Sequence, residues 1–514
     1  MSIRKTSAQR LAAAVGALAL IVSGTFIGPA SAAPGEPGTP PGNTDEGTTG
    51  SLTIHKRIGV QDGTHNGANL GSSAPGVPLP GVTFSAQRVG IWNGTTCTDL
   101  DLSTSEGWDA AEAAVGANPA APSSTPANGD LCAAGDALEE TTADPSGAAT
   151  FANLALGLYY IVETDAPDNV VDEIVPFYVT IPFPSETGDV VTWLYDVHAY
   201  PKNAVAEAPV KAITERPNSV VIGSNVTWTI TQEIPTLTST GASFASAVIE
   251  DTLDPRLEYV SSVLNIVPAP TAPDTDLVAG DYAFVEDAAM GKLTWTLNAG
   301  GLAKLKANQS SDLVATVVTA VTSVTDGDLT AGVIANDAKV TINGKPGVTP
   351  PVYTYWGNLV VNKLDGATPL AGAQFDVFEK GTADCAATHP GGTALASGTS
   401  GSDGVVKWGT EETGVQGLWI ANSNTELNDP DKEYCLYETK APAGYVRVVT
   451  PTVVTITTAD LATFTQDIQN TKVPGPNLPL TGSSGTLMLT IAGIGLVGLG
   501  VGGVALRRRS TKQN

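Results

Sequence analysis

Short runs of alternating Val, Thr, Ile and aromatic residues recur along most of this chain, each closed by Gly, Pro, Asn or Asp. Ser51-Leu-Thr-Ile-His, Val190-Val-Thr-Trp-Leu-Tyr, Val226-Thr-Trp-Thr-Ile, Lys339-Val-Thr-Ile-Asn and Thr452-Val-Val-Thr-Ile are examples. Successive side chains of a strand point to opposite faces, so each run has one face to bury and one to leave in water. Many such runs at hairpin spacing predict an all-β chain built from tandem immunoglobulin-like β-sandwiches arranged in an elongated series. One stretch departs from the pattern. The alanines between Gly107 and Gly116 predict a short helix inside a long insertion bracketed by Cys97 and Cys132.

An internal repeat sets the domain boundaries. Gly157-Leu-Tyr-Tyr-Ile-Val-Glu163-Thr-Asp-Ala-Pro167 matches Glu433-Tyr-Cys-Leu-Tyr-Glu438-Thr-Lys-Ala-Pro442. Upstream of each lies a Phe-bearing strand, Val82-Thr-Phe-Ser-Ala or Ala373-Gln-Phe-Asp-Val, and before that an opening strand with Lys56 or Lys363. The first domain (51–203) and the last (357–474) are therefore versions of one fold. The middle region, 204–356, has a different strand pattern. Residues 33–50 are a Pro/Gly-rich linker without periodicity.

Both ends carry targeting chemistry. Arg4, Lys5 and Arg10 precede an apolar run from Leu11 to Ile27 and a small-residue site at Ala30-Ser31-Ala32, the pattern of a signal peptide over 1–32. Near the other end, 487–506 is an uncharged stretch long enough to span a bilayer, followed by the basic tail 507–514 with Arg507, Arg508 and Arg509. Together they place the bulk of the chain outside the cell. The two ends hold seven of the 26 basic side chains and none of the 52 acidic ones, so the region between them carries 19 against 52, a formal −33. Such a surface excludes nucleic acid as a partner and keeps the chain soluble by self-repulsion.

The four cysteines, Cys97, Cys132, Cys385 and Cys435, suit disulfides in an exported chain. Of the three possible pairings, Cys97 with Cys132 and Cys385 with Cys435 is the most local. No Cys-x-x-Cys occurs and the four histidines are scattered in the sequence, so no metal site and no cofactor is expected.

Three motifs carry a resemblance. Leu478-Pro479-Leu480-Thr481-Gly482, followed by the apolar span and the basic tail in 475–514, resembles the cell-wall sorting signal of Gram-positive surface proteins. The resemblance implies that a sortase cuts after Thr481 and passes its carbonyl to an amine. Trp193-Leu-Tyr-Asp-Val197-His-Ala-Tyr200-Pro201-Lys202 resembles the pilin motif, departing only at Ala199, where Val is usual. It implies that Lys202 is the accepting amine on the next subunit. If the segment is one strand, Trp193, Tyr195, Val197 and Ala199 share a face that packs inward, and Pro201 ends the ladder with Lys202 at an accessible edge. Tyr434-x-Leu436-x-Glu438-Thr439-x-Ala441-Pro442-x-Gly444-Tyr445 resembles the Glu-box of such proteins.

The chain is thus similar to sortase-assembled shaft pilins of the three-domain SpaA and Actinomyces fimbrial type, with Cna-B-like domains. Their internal isopeptide bonds join a lysine on the first strand to an asparagine on the last. By that likeness Lys363 pairs with Asn470, promoted by Glu438, a carboxyl whose burial raises its pKa and keeps it protonated. Burial leaves the lysine neutral and nucleophilic. Lys211 and Asn336 with Asp251 are the corresponding set in the middle domain, with Glu250 on the other face. The first domain has Lys56 and Glu163 but no evident asparagine, Asn203 lying beyond Lys202, and no bond is expected there.

The function implied is a structural subunit of a covalent fimbrium, not an enzyme. Its partners are other copies of itself, a pilus-specific and a housekeeping sortase, peptidoglycan, and minor pilins. Its place is the cell wall. The alternative is a wall-anchored adhesin or tip or basal subunit that uses the sandwiches as a stalk.

Overall fold

The computed structural model describes residues 48–473 apart from 62, 64, 116–120, 188–189, 214, 269–275 and 411–412. The expected signal peptide, most of the linker and the sorting signal with Thr481 lie outside the described residues. Among the described residues no helix is long and apolar enough to cross a membrane. Strands dominate throughout, and the chain is all-β as its alternation predicts. Two compact units form. The first takes the chain to Asn358 with Gly417–Lys432 and Ile456–Thr463. The second takes Leu359–Gln416, Glu433–Thr455 and the chain from Phe464 onward.

In the first unit the opening strand, Thr49–His55, lies between Ala148–Ala155, antiparallel, and Asp196–Ala199, parallel. Its Leu52 and Ile54 are fully buried, and they share a core with Phe84, Ala86, Tyr159, Ile161 and Val179 from a larger sheet. That sheet is built on Thr83–Trp92 and Gly157–Asp165. A third, small sheet joins Val170–Asp172, Lys202–Val205, Arg57–Ile58 and Val77–Pro78. The insertion contains the helix Ser105–Val115, packed through Ala111 and Val115 against Val89, Leu158 and Tyr178. Disulfide Cys97–Cys132 closes its base.

Farther along the same unit, a four-stranded sheet (Val210–Ala212, Asn225–Glu233, Asp312–Val321, Leu257–Val267) and a five-stranded one centred on Ala247–Thr252 share a core. Trp228 and Trp295 are completely buried in it. A helix not evident from the sequence, Ala299–Ala307, also packs there through Leu305. It starts at Asn298, whose side-chain oxygen accepts from Gly300 N and Gly301 N, a cap that offsets the poor helix propensity of the two glycines.

The second unit holds the sheet order Val406–Trp408, Ala396–Ser400, Gln374–Glu379, Asp431–Lys440, Thr452–Thr457. Phe375 pairs with Glu438 across its centre, which sets the Glu-box against the Phe-bearing strand as the repeat implies. Cys385 and Cys435 are bonded.

Candidate functional site

Alternation carries lysines inward at three places. Lys56, Lys211 and Lys363 are each 3% exposed or less. A buried ammonium costs several kcal/mol unless it is paired, so each must have a partner or lose its charge.

In the second unit Lys363 donates to Ile468 O at 3.0 Å and to Asn470 Oδ1, and lies 3.5 Å from Glu438 Oε1. Asn470 Nδ2 donates to that same carboxyl oxygen at 2.9 Å, and Val448 N donates to the other at 2.6 Å. The Phe375 ring lies 5.8 Å from the ammonium. Burial lowers the Lys363 pKa, with Glu438 opposing.

The middle cluster is looser. Lys211 Nζ donates to Asp251 Oδ1 at 2.7 Å and to Asp337 O at 3.1 Å, over the Trp228 ring. Burial pushes the Asp251 carboxyl up and the Lys211 ammonium down, the charge of each opposing the shift in the other. Asn336 is 2% exposed and its amide lies beside the Asp251 carboxyl, whose ionisation it favours, although among the described residues neither amide atom nor Asp251 Oδ2 makes a hydrogen bond of full geometry. Glu250 faces the other way, paired with Lys292 and, at 3.5 Å, with Lys339.

The first domain corrects an expectation. Lys56 Nζ donates to Glu163 Oε2 at 2.7 Å and to Asn203 Oδ1 at 2.5 Å, and Asn203 Nδ2 donates to Glu163 Oε1 at 2.5 Å. Asn203 is therefore the partner that the sequence reading placed out of reach. A new strand, Lys202–Val205, begins after Pro201 and runs parallel to Arg57–Ile58, with Asn203 opposite Ile58. Adjacent strand residues face opposite ways, so Asn203 turns in towards Lys56 while Lys202 lies on the other face, itself buried. The signal that could have found it is the repeat, since Asn203 stands to Lys56 and Glu163 as Asn470 stands to Lys363 and Glu438. Burial lowers the Lys56 pKa to about 8 and raises that of Glu163.

The motif ending at Lys202 differs from one continuous strand. Val190–Leu194 pairs with Phe183–Thr187, and a separate strand, Asp196–Ala199, runs beside Thr49–His55. Val197 and Ala199 enter the core, but Trp193 is only half-buried and packs on Trp108 of the insertion helix, ring centres 5.1 Å apart. Tyr200 accepts from Leu70 N at 2.7 Å. Lys202 is not at an open edge: it is 4% exposed. Among the described residues no group of three or more His, Cys, Asp or Glu side chains could hold a metal ion.

Comparison with known proteins points one way. Residues 47–204 match the Gram-positive pilin subunit D1, N-terminal domain, and residues 357–472 match a prealbumin-like fold domain. Fimbrial subunit type 2 of Actinomyces naeslundii is 32% identical over 99% of this chain and 98% of its own length. Fimbrial subunit type 1 of Actinomyces viscosus is 29% identical over 93% of each chain. The full-length major pilin SpaD from Corynebacterium diphtheriae superimposes with a TM-score of 0.62 at 27% identity, covering 85% of this chain and 100% of that one.

Proposed function

The chain belongs to the fimbrial subunits of Gram-positive bacteria, and on that basis we propose that it is the repeating shaft subunit of a covalent surface fimbrium. A sortase joins the Thr481 carbonyl of one copy to the Lys202 amine of the next, and the finished polymer passes to peptidoglycan. The observation that carries this reading is the presence in one chain of both reactants, the sorting pentapeptide 478–482 and the motif Trp193 to Lys202.

Internal bonds complete the reading. Lys363 Nζ attacks Asn470 Cγ, the new C–N bond replaces the old one, and the amide nitrogen leaves as ammonia. Glu438 lies against both groups and is placed to carry the proton from the amine to the leaving nitrogen. The observed arrangement suits the ionic pair, with Lys363 donating to the amide oxygen and Glu438 accepting from the amide nitrogen. Once the proton has moved from lysine to carboxyl, turning the amide about its Cβ–Cγ bond puts its oxygen on the acid and polarises the carbon under attack. Lys56, Glu163 and Asn203 make the same three contacts among amine, carboxyl and amide, with the amine and amide on different carboxyl oxygens, and take the same role. For Lys211, Asn336 and Asp251, the supporting feature is that a buried amide and a buried amine both lie against the Asp251 carboxyl, the placement that loss of the amide nitrogen as ammonia requires.

Replacing Lys202 by Ala tests the assembly. A shaft subunit loses its high-mass covalent ladder, whereas a wall-anchored adhesin still reaches the wall as a monomer. A Thr481–Lys202 branched peptide in assembled material, found by tandem mass spectrometry, identifies the joint. Its replacement by a branch at another lysine overturns the assignment.

A further inference from the structure

Asn470 stands just beyond the end of its strand. The last strand stops at Gln469, so its pairing with Val352–Asp365 does not by itself fix the amide that faces Lys363. One backbone bond helps, Asn470 N donating to Leu364 O at 3.0 Å. Attack on an amide carbon needs amine, amide and acid held together more firmly than that.

The remaining hold comes from the loop after the Glu-box. Tyr445 N donates to Pro442 O at 3.1 Å, closing a turn whose third residue, Gly444, has φ +85°, a region that favours glycine. From that turn the chain runs antiparallel to the segment after Asn470. Val446 N donates to Thr471 O at 2.9 Å, Val473 N donates to Gly444 O at 2.8 Å, and Tyr445 stands opposite Lys472. The same loop reaches back to the acid. Val448 N donates to Glu438 Oε2 at 2.6 Å, and Arg447 Nη1 to Glu438 O at 3.1 Å. A third tie goes to the lysine's strand: the Tyr445 hydroxyl donates to Asp365 Oδ2 at 3.0 Å, and Asp365 ends the strand that carries Lys363 two residues earlier.

The first domain has this clasp without its third tie. Val170 N donates to Pro167 O at 3.0 Å, and Val170 stands opposite Val205. Val170 follows Pro167 by three residues, as Tyr445 follows Pro442, and Val205 follows Asn203 by two, as Lys472 follows Asn470. The register is the same in both domains. Val170, however, is buried in the core and has no hydroxyl to donate. There the loop donates to the amide itself, Ile174 N to Asn203 Oδ1 at 3.0 Å.

We propose that Tyr445 is a positioning residue for the Lys363–Asn470 bond. Its backbone holds the asparagine's segment and its hydroxyl holds the lysine's strand, so amine and amide carbon stay within reach while Glu438 moves the proton. This rests on the reading that the bond forms. The hydroxyl tie matters before the bond exists and loses its importance once a covalent link spans the same two segments.

Newly synthesised full chain, quenched at intervals at neutral pH and digested, gives the Lys363–Asn470 branched peptide against the linear peptide carrying Lys363. Tyr445→Phe keeps the ring and the backbone pairing and removes only the hydroxyl; it should slow that branch about tenfold. The Lys56–Asn203 branch in the same digest should appear at the wild-type rate. Asp365→Ala should be as slow as Tyr445→Phe, and the double variant no slower than either. Asp365→Asn keeps an oxygen to accept the hydroxyl and should restore most of the rate. Brief proteolysis before the branch accumulates should cut wild type and Tyr445→Phe equally. Wild-type speed in Tyr445→Phe overturns the proposal, and so does additive slowing in the double variant or no recovery in Asp365→Asn. Faster proteolysis, or equal slowing of the Lys56 branch, also overturns it, because loss of folding then explains the effect. A wild-type chain with no Lys363–Asn470 branch at completion sinks the crosslink reading itself, and the positioning role with it.

Discussion

A lysine side chain with no exposed surface forces its neighbours into a narrow chemistry. At Lys56 the reactive state has a neutral amine and a protonated Glu163, yet it carries the same number of protons as the ionic pair. The fraction in that state is therefore flat across the range between the two apparent pKa values, and falls outside it. Above about 8, the value to which burial brings Lys56, the pair loses its remaining proton and no acid is left to promote the step. Bond formation at Lys56–Asn203, followed by intact mass on freshly synthesised chain, should thus be constant near neutrality and slow about tenfold per pH unit above about 8. A rate that keeps rising with pH would mean the amine works without the acid. Glu438→Ala should keep one ammonia in the mass and leave Lys363 a free buried amine, and without the covalent tie to Asn470 the variant should unfold at lower temperature and lower denaturant than the wild type. The Lys363 cluster was legible in the sequence because the Glu-box fixes which face the carboxyl takes. Asn203 was not, since a proline-broken strand gives no period by which to place the residue two positions after the break.

Strands were legible wherever one face is buried, as at Val226 to Ile230, where the burial alternates residue by residue. The failures lie where an element is interrupted. The chain between Val190–Leu194 and Asp196–Ala199 changes sheet at Tyr195, whose carbonyl is taken by Ser51 N at 2.7 Å, so Trp193 and Val197 do not share a face. Nothing in a run of Val, Thr, Trp, Leu and Tyr marks that switch, because the residues on both sides have the same strand preference. The insertion is the element with the most separable role. Its helix packs in a small cluster against Val89, Leu158 and Tyr178 of the larger sheet, separate from the core around Leu52 and Phe84, and its disulfide spans 35 residues. Replacing Cys97 and Cys132 together by Ser should cost about 2–4 kcal/mol, mostly through the freed loop of the unfolded chain. Limited proteolysis should then cut within residues 93–131 while the strands around Leu52 and Phe84 stay protected. Cutting that spread into those strands would show the insertion to be part of the main core.

At the scale of the whole molecule, charge decides how copies can associate. With a formal −33 over residues 33–474, subunits repel one another at any distance within a Debye length, about 8 Å at physiological ionic strength. Reversible stacking of such chains would need a large apolar contact. The exposed large hydrophobic residues, such as Val77, Val175, Val263, Val285 and Val449, are scattered over separate strands and loops. Single exposed apolar side chains of this kind are ordinary for a soluble surface. On the proposed reading a polymer of this subunit depends on covalent joints made by an outside enzyme, and association without that enzyme should be absent. Purified mature chain, examined by sedimentation at low and at high salt, should be monomeric in both. Low salt is the more stringent condition, since screening is weakest there. Self-association that strengthens with salt would mean that screened apolar contact supplies part of the shaft's cohesion. Self-association at low salt would contradict the charge argument outright, and would place non-covalent stacking before the Lys202 joint in the order of assembly.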